Sequence, residues 1–244
     1  MQLSQNSFIY AHILLKPKSG RMEKNMTYVC SNIRGDYTKF NKLLEKIGFC
    51  DDDIMYVVGD IIDFHEKSME LLCDLSMRSN IYPVLGKHEK TALAMLRGFD
   101  EMLRNGKTPD NEYVDVMKQW MSDGGQTTFD GFRALSKEMK EGIIEYLSEF
   151  ATYEQAFTDD GDYIIVYSGI KDFAPDRELD DYDADSFIYN TSFDTEYFDD
   201  RFVIIGCVGG GDKINRVGNR IMMDCTKDNK ITCLCLENNK EFYV

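Results

Sequence analysis

The chain of 244 residues has no Gly/Ser/Pro-rich linker and no internal repeat, so nothing in it divides one large domain from another. At that length a hydrophobic core forms without disulfide or metal staples. No apolar run approaches the roughly 18 residues that a membrane helix needs, and 43% hydrophobic residues with 12% aromatics exclude a disordered chain. Seven cysteines occur without a CxxC pair or a regular spacing, which excludes a disulfide framework and points to free thiols in a reducing, cytoplasmic setting. Positive charge is in deficit: 28 basic against 43 acidic residues leave −15, which disfavours nonspecific contact with nucleic acid or an anionic membrane. Gly209-Gly210-Gly211 lacks the Lys-Ser/Thr of a P-loop and reads as a flexible loop. The apolar run 8–15 has no positive charge before it and Lys16-Pro17-Lys18 after it, the wrong order for a secretory signal. Residues 1–26 are therefore taken as a leader or accessory segment, and 27–244 as the working domain.

What is present is an alternation. A β-type run at 27–31 leads through the turn Asn32-Ile33-Arg34-Gly35 to helical spacing at Phe40, Leu43, Leu44 and Ile47. The unit recurs as a strand at 54–58, a loop at 59–66 and a helix at 68–78, followed by a strand at 81–85 in which Pro83 cannot donate to a ladder. Such alternation implies parallel strands joined by right-handed crossovers, so that the loops after the strands converge at one edge. Residues 90–150 are mostly helical in pattern and form an insertion. Runs at 163–167, 202–205, 220–224, 231–237 and 241–244 predict a second, mixed or largely antiparallel sheet. The fold class expected is α/β: two sheets face to face with helices outside, the acidic stretch 172–200 being least regular. Cys233 and Cys235, two apart on one strand, share a face.

Two strand ends carry the polar residues that matter most, Val57-Val58-Gly59-Asp60-Ile61-Ile62-Asp63 and Val84-Leu85-Gly86-Lys87-His88-Glu89. In order along the chain, Ser31-Asn32-Ile33-Arg34-Gly35, Gly59 to Asp63, Gly86 to Glu89, Trp120 to Gly125, Tyr167-Ser168-Gly169-Ile170 and Gly206-Cys207-Val208 resemble the SDIHG, GDxxDRG, GNHE, WxxNGG, HAGI and GHT motifs of the calcineurin-like metallophosphoesterases. The closest resemblance is to their bacterial PPP-type serine/threonine phosphatase branch and its diadenosine tetraphosphatase relatives.

That family hydrolyses phosphoesters with two metal ions that activate a water and clamp the phosphoryl group. Carried over by position, the resemblance gives six metal-ligand places, of which only Asp60 keeps a ligand. Asn32, Arg34, Lys87, Tyr167 and Cys207 stand at the other five, and Phe64 replaces an arginine that would clamp phosphate. The family site uses three ligand histidines and a catalytic one, whereas this chain has only His12, His65 and His88. A second family arginine falls near Tyr189. Asp63 and His88 correspond to the family's orienting carboxylate and general acid, a remnant dyad, with a loop cap and a structural histidine as the alternative reading.

The replacements imply further expectations. Arg34 and Lys87 bring positive charge to Asp60 and Asp63, either as ion pairs that stand in for metal or as an anion-binding pair. A zinc set of Asp60, Cys207 and His88 is a weaker alternative, an inert cysteine being the simpler one. The expected function is that of a pseudophosphatase with a phosphoprotein or protein partner and no cofactor. The rival is a weakly active or divergent phosphoester hydrolase holding a loosely bound Mn, Fe or Zn.

Overall fold

Helix signals act where the sequence places them. The Asp36 carboxylate accepts from the Lys39 amide at 2.9 Å and opens α1 (Tyr37–Ile47), and Gly48, at φ 69°, ends it in the left-handed conformation. Between those signals Phe40, Leu43, Leu44 and Ile47 all turn inward. The computed structural model describes residues 25–106, 108–208, 211–225 and 230–244. The run 8–15, His12 and Gly209-Gly210 lie outside them.

Strands β1 (Thr27–Ser31), β2 (Ile54–Val58) and β3 (Ile81–Val84) pair in parallel through α1 and α2 (Ser68–Ser76). Pro83 sits in β3, an edge strand, where a missing donor is tolerated. Helices α3 (Lys87–Asn105), α4 (Asn111–Trp120), α5 (Gln126–Arg133) and α6 (Lys137–Ser148) form the helical segment, with a π-type turn at Met121–Gly125. The chain then builds β4 (Tyr153–Thr158), β5 (Gly161–Val166), a short helix α7 (Ala184–Ile188), β6 (Phe202–Ile205), β7 (Asn215–Val217) and β8 (Arg220–Met222). Two further strands, β9 (Thr232–Cys235) and β10 (Glu241–Tyr243), close it.

The two sheets have the orders β10-β9-β1-β2-β3 and β4-β5-β6-β8-β7, both mixed. This corrects one expectation, since β9 and β10 join the first sheet and not the second. The reason is local: β9 runs antiparallel along β1, and the Glu237 carboxylate just after it accepts twice from the Thr27 amide, at 2.8 and 2.9 Å. The sequence reading also missed β4, whose half-exposed residues show little apolar alternation.

Between the sheets lie Val29, Tyr56, Val58 and Leu234 from one side and Tyr163, Ile165, Ile204 and Ile221 from the other. The helices cover the outer face of the first sheet, where Cys233 and Cys235 share a face as expected. Tyr182, Phe187 and Tyr197 of the acidic stretch cover the second. No helix among the described residues is long and apolar enough to cross a membrane.

Strands β5, β6 and β8 are mutually parallel, as are β1, β2 and β3, and both sets end on one side of the sandwich. The Ser31 hydroxyl stitches that side together, donating to the carbonyls of Val58 at 3.4 Å and Gly206 at 3.0 Å. Ile204 is fully buried between the sheets. Ile204→Ala is expected to cost about 2–5 kcal/mol, measured by urea unfolding, whereas the same change at the exposed Val217 should cost under about 1 kcal/mol.

Candidate functional site

Six strand ends deliver side chains to this edge: Asn32 and Arg34 after β1, Asp60 and Asp63 after β2, Lys87 to Glu89 after β3, Tyr167 after β5, Cys207 after β6 and Asp224 after β8. The loops that do so are tightly wound. Asn32, Arg34, Asp60, Asp63 and Phe64 all have φ between 47° and 72°, a region that L residues visit at a cost of order 1–3 kcal/mol each. Backbone bonds lock the first two loops together, from the Arg34 amide to the Asp60 carbonyl at 2.8 Å and from Gly35 to Ile61 at 2.7 Å.

Asp60 is the centre. Its carboxylate is buried; the Tyr167 hydroxyl donates to Oδ1 at 2.7 Å, and Arg34 Nη2 lies 3.5 Å from Oδ2. Burial, reinforced by the charge of Asp60, raises the Tyr167 phenol well above its ordinary range and keeps it a donor. The Arg34 guanidinium also lies 5.0 Å over the Phe64 ring, so Phe64 meets that cation with its face instead of supplying one. Asn32 donates to Asp224 Oδ1 at 3.0 Å.

A second group surrounds the fully buried Asp63. His88 Nδ1 and Trp120 Nε1 lie 2.7 and 2.9 Å from the same oxygen, Oδ2. Trp120 reaches it because the π-type turn folds Gly125 onto the indole; a Cβ there would come within 2.3 Å of the ring. Burial alone would lower the His88 pKa, but the Asp63 hydrogen bond and the charges of Asp60, Glu89 and Asp63 outweigh it and raise it. Among the described residues the Asp63 side chain bonds to His88 and Trp120 through Oδ2, while its buried Oδ1 has no partner.

Sequence reasoning named Glu89 and Trp120 only as parts of motifs, without a contact, and missed Asp224. Glu89, fully buried, accepts from the amides of Ile61 at 2.7 Å and of Ile62 and Gly86 at 3.2 Å, tying the loops after β2 and β3. Burial and then the charge of Asp60 push its carboxyl up to about 7. Asp224 follows β8 in a run without motif character, and Trp120 carried no signal of its contact with Asp63. The position of Glu89 three residues after Gly86, at the start of a helix, was the legible clue for the first.

Known proteins provide a comparison. No family model matches the chain. Over 71 residues, 28% of this chain and 26% of the relative, it is 34% identical to the symmetrical bis(5'-nucleosyl)-tetraphosphatase of Buchnera aphidicola subsp. Baizongia pistaciae. With the protein of the same name from Buchnera aphidicola subsp. Acyrthosiphon pisum it shares 33% over 96 residues, 35% of this chain and 34% of the relative. The chain therefore matches about a third or less of the length of these curated relatives. A presumed diadenosine tetraphosphatase of known structure superposes with a TM-score of 0.61 over 90% of this chain and 93% of that one, at 14% identity, a likeness of fold. The chain thus shares the fold of that structure and, over about a third of its length, a sequence likeness to symmetrical bis(5'-nucleosyl)-tetraphosphatases.

The motif resemblance implies divalent metal at these positions, and the residues here do not fit a two-metal centre. Both oxygens of Asp60 face donors, Tyr167 and Arg34, and no group of three His, Cys, Asp or Glu side chains suited to a metal occurs among the described residues. The same observation removes the zinc set of Asp60, Cys207 and His88. The Cys207 thiol is pushed up to about 12 by burial and by the charges of Asp60 and Asp224, which leaves it protonated at neutral pH.

Lys87 departs from expectation. It is the first residue of α3 and is exposed, and among the described residues its side chain makes no ion pair with Asp60 or Asp63. Helix geometry explains this, because the position that caps the loops is Glu89, two residues on, which points inward while Lys87 points out. Tyr189 is exposed and packs under Lys90.

Glu89 and His88 give a pH signature of one sign. A carboxyl raised from about 4.5 to about 7 binds more protons folded than unfolded, so its contribution falls as pH rises from about 4.5 and is gone above about 7. The raised His88 adds stability below pH 6.5 that is lost as pH rises through its folded pKa. Thermal unfolding between pH 4.5 and 8 should show the midpoint declining, with a shallower decline between 4.5 and 7 for Glu89→Gln. Parallel curves for the two proteins would contradict the assignment.

Proposed function

We propose that this chain is a pseudophosphatase, a phosphoesterase scaffold that binds or regulates and does not hydrolyse. The observation that carries the reading is the engagement of Asp60, whose two carboxylate oxygens meet the Tyr167 hydroxyl and the Arg34 guanidinium. The matched relatives are named for action on bis(5'-nucleosyl) tetraphosphates, which favours a phosphate-bearing ligand or phosphoprotein partner here. Arg34 is the group suited to meet it: about a quarter of its side chain is exposed, and its buried Nε has no partner among the described residues. Lys87, exposed at the start of α3 after another strand of the same edge, is a second cation for test.

One observation favours a second reading, a divergent hydrolase of low activity. The His88–Asp63 hydrogen bond is short and backed by Trp120, the arrangement a general acid needs to protonate a leaving oxygen. Hydrolysis of an aryl phosphate with Mn²⁺ added separates the two. The proposal expects no turnover above a buffer control; metal-dependent turnover abolished by Asp60→Ala would establish the hydrolase. Calorimetry with inorganic phosphate tests the binding role, with heat expected from the wild-type chain and at least about a tenfold loss of affinity in Arg34→Ala. Binding indifferent to that change would remove Arg34 from the site.

A further inference from the structure

We infer that Tyr167 is an internal plug that has taken over the structural work of the metal: it occupies the space at the end of β2 and satisfies the Asp60 carboxylate, so that the fold is independent of divalent cations. The inference rests on the reading of the site given above but goes further, because a scaffold without turnover need not be stable without metal.

Two independent observations meet at Tyr167. The first is hydrogen bonding, since its hydroxyl donates to Asp60 Oδ1 at 2.7 Å in a place where neither residue is more than 6% exposed. A buried carboxylate without donors or a cation is strongly disfavoured, so this bond and Arg34 at 3.5 Å supply what a metal ion would otherwise supply. The second is volume. The ring lies so close over the strand ends that a Cβ on Gly59 would come 2.2 Å from its Cδ2, and a Cβ on Gly86 would come 3.0 Å from the same atom. The two glycines form a cradle, and the phenol ring fills it.

The remaining members act in the same direction. Asn32 turns its amide to Asp224 at 3.0 Å, and the Cys207 amide donates to the Tyr167 carbonyl at 2.9 Å, fixing the strand end that carries the ring. Each is a neutral donor set against a carboxylate or a carbonyl. Of the four buried side-chain polar atoms without a partner among the described residues, Asn32 Oδ1, Arg34 Nε and Asp63 Oδ1 lie at this edge, whereas none belongs to Asp60 or Tyr167.

The test is a set of thermal midpoints measured in EDTA and in Mn²⁺, for the wild-type chain, Tyr167→Phe, Asp60→Ala and the double variant, with elemental analysis of wild-type protein purified without chelator. The inference expects the wild-type midpoint to agree in the two media within about 1 °C and the metal content to be near zero. Tyr167→Phe should lower the midpoint by about 3–8 °C, an effect that largely vanishes in the Asp60→Ala background. A wild-type midpoint that falls on chelation, near-stoichiometric metal, or a Tyr167→Phe midpoint equal to wild type would each overturn it. Should Tyr167→Phe fail to fold, the wild-type arms still decide. Turnover by metal-free protein would overturn the non-hydrolytic reading and leave this inference standing, whereas bound metal without turnover would do the reverse.

Discussion

A carboxylate buried at the end of a parallel strand must be answered by positive charge or by donors, and that requirement at Asp60 organises the whole edge of the sandwich. The sheet delivers Asp60 there because β2 is buried on both faces and ends at Gly59, whose missing Cβ admits the ring of Tyr167. Tyr167 arrives from the other sheet, so the hydrogen bond between them spans the two layers. Around that contact the charges fall into a consistent pattern: Arg34 on Asp60, Asn32 on Asp224, His88 and Trp120 on Asp63, and three backbone amides on Glu89.

The backbone of the site is tightly wound, while its side chains are unlike the ligand set that the motif resemblance implies. Five of the seven non-glycine residues with positive φ among the described residues lie in the two loops after β1 and β2. Such conformations are costly and persist only where the surroundings over-determine them, here through the inter-loop backbone bonds and the Glu89 carboxylate. This loop geometry sets Arg34 over the Phe64 ring and against Asp60. The frame is held by main-chain bonds between the loops together with the Glu89 carboxylate, so the other side chains of the edge can differ without moving it.

Much of the frame was legible because it depends on local pattern. The spacing of Phe40, Leu43, Leu44 and Ile47 matches the inward face of α1, and the strand at 54–58 and its parallel partners follow from apolar runs punctuated by glycine. Sheet membership was not legible for β9 and β10, because pairing of β9 with β1 is a contact across some two hundred residues that no local period encodes. In the site, the order of motifs located Asp60, Asp63 and His88, and the resemblance supplied the Asp63–His88 pairing, since motif order cannot fix a hydrogen bond. Tyr167 as the partner of Asp60 and Trp120 as the partner of Asp63 depend on how two layers and a π-type turn meet, and sequence spacing is silent on both. Lys87 was misassigned for a simpler reason: charge alone suggested a partner for the carboxylates, while the helix that starts there turns Lys87 outward and Glu89 in.

The central claim is that donors, not divalent ions, satisfy Asp60. It is tested most directly by titrating metal-free protein at micromolar concentration with Mn²⁺ to well beyond about two equivalents and following the electron paramagnetic resonance of the free ion. The account predicts that the free-ion signal grows in full from the first addition. Loss of that signal up to about two equivalents per chain, restored by EDTA, would contradict it.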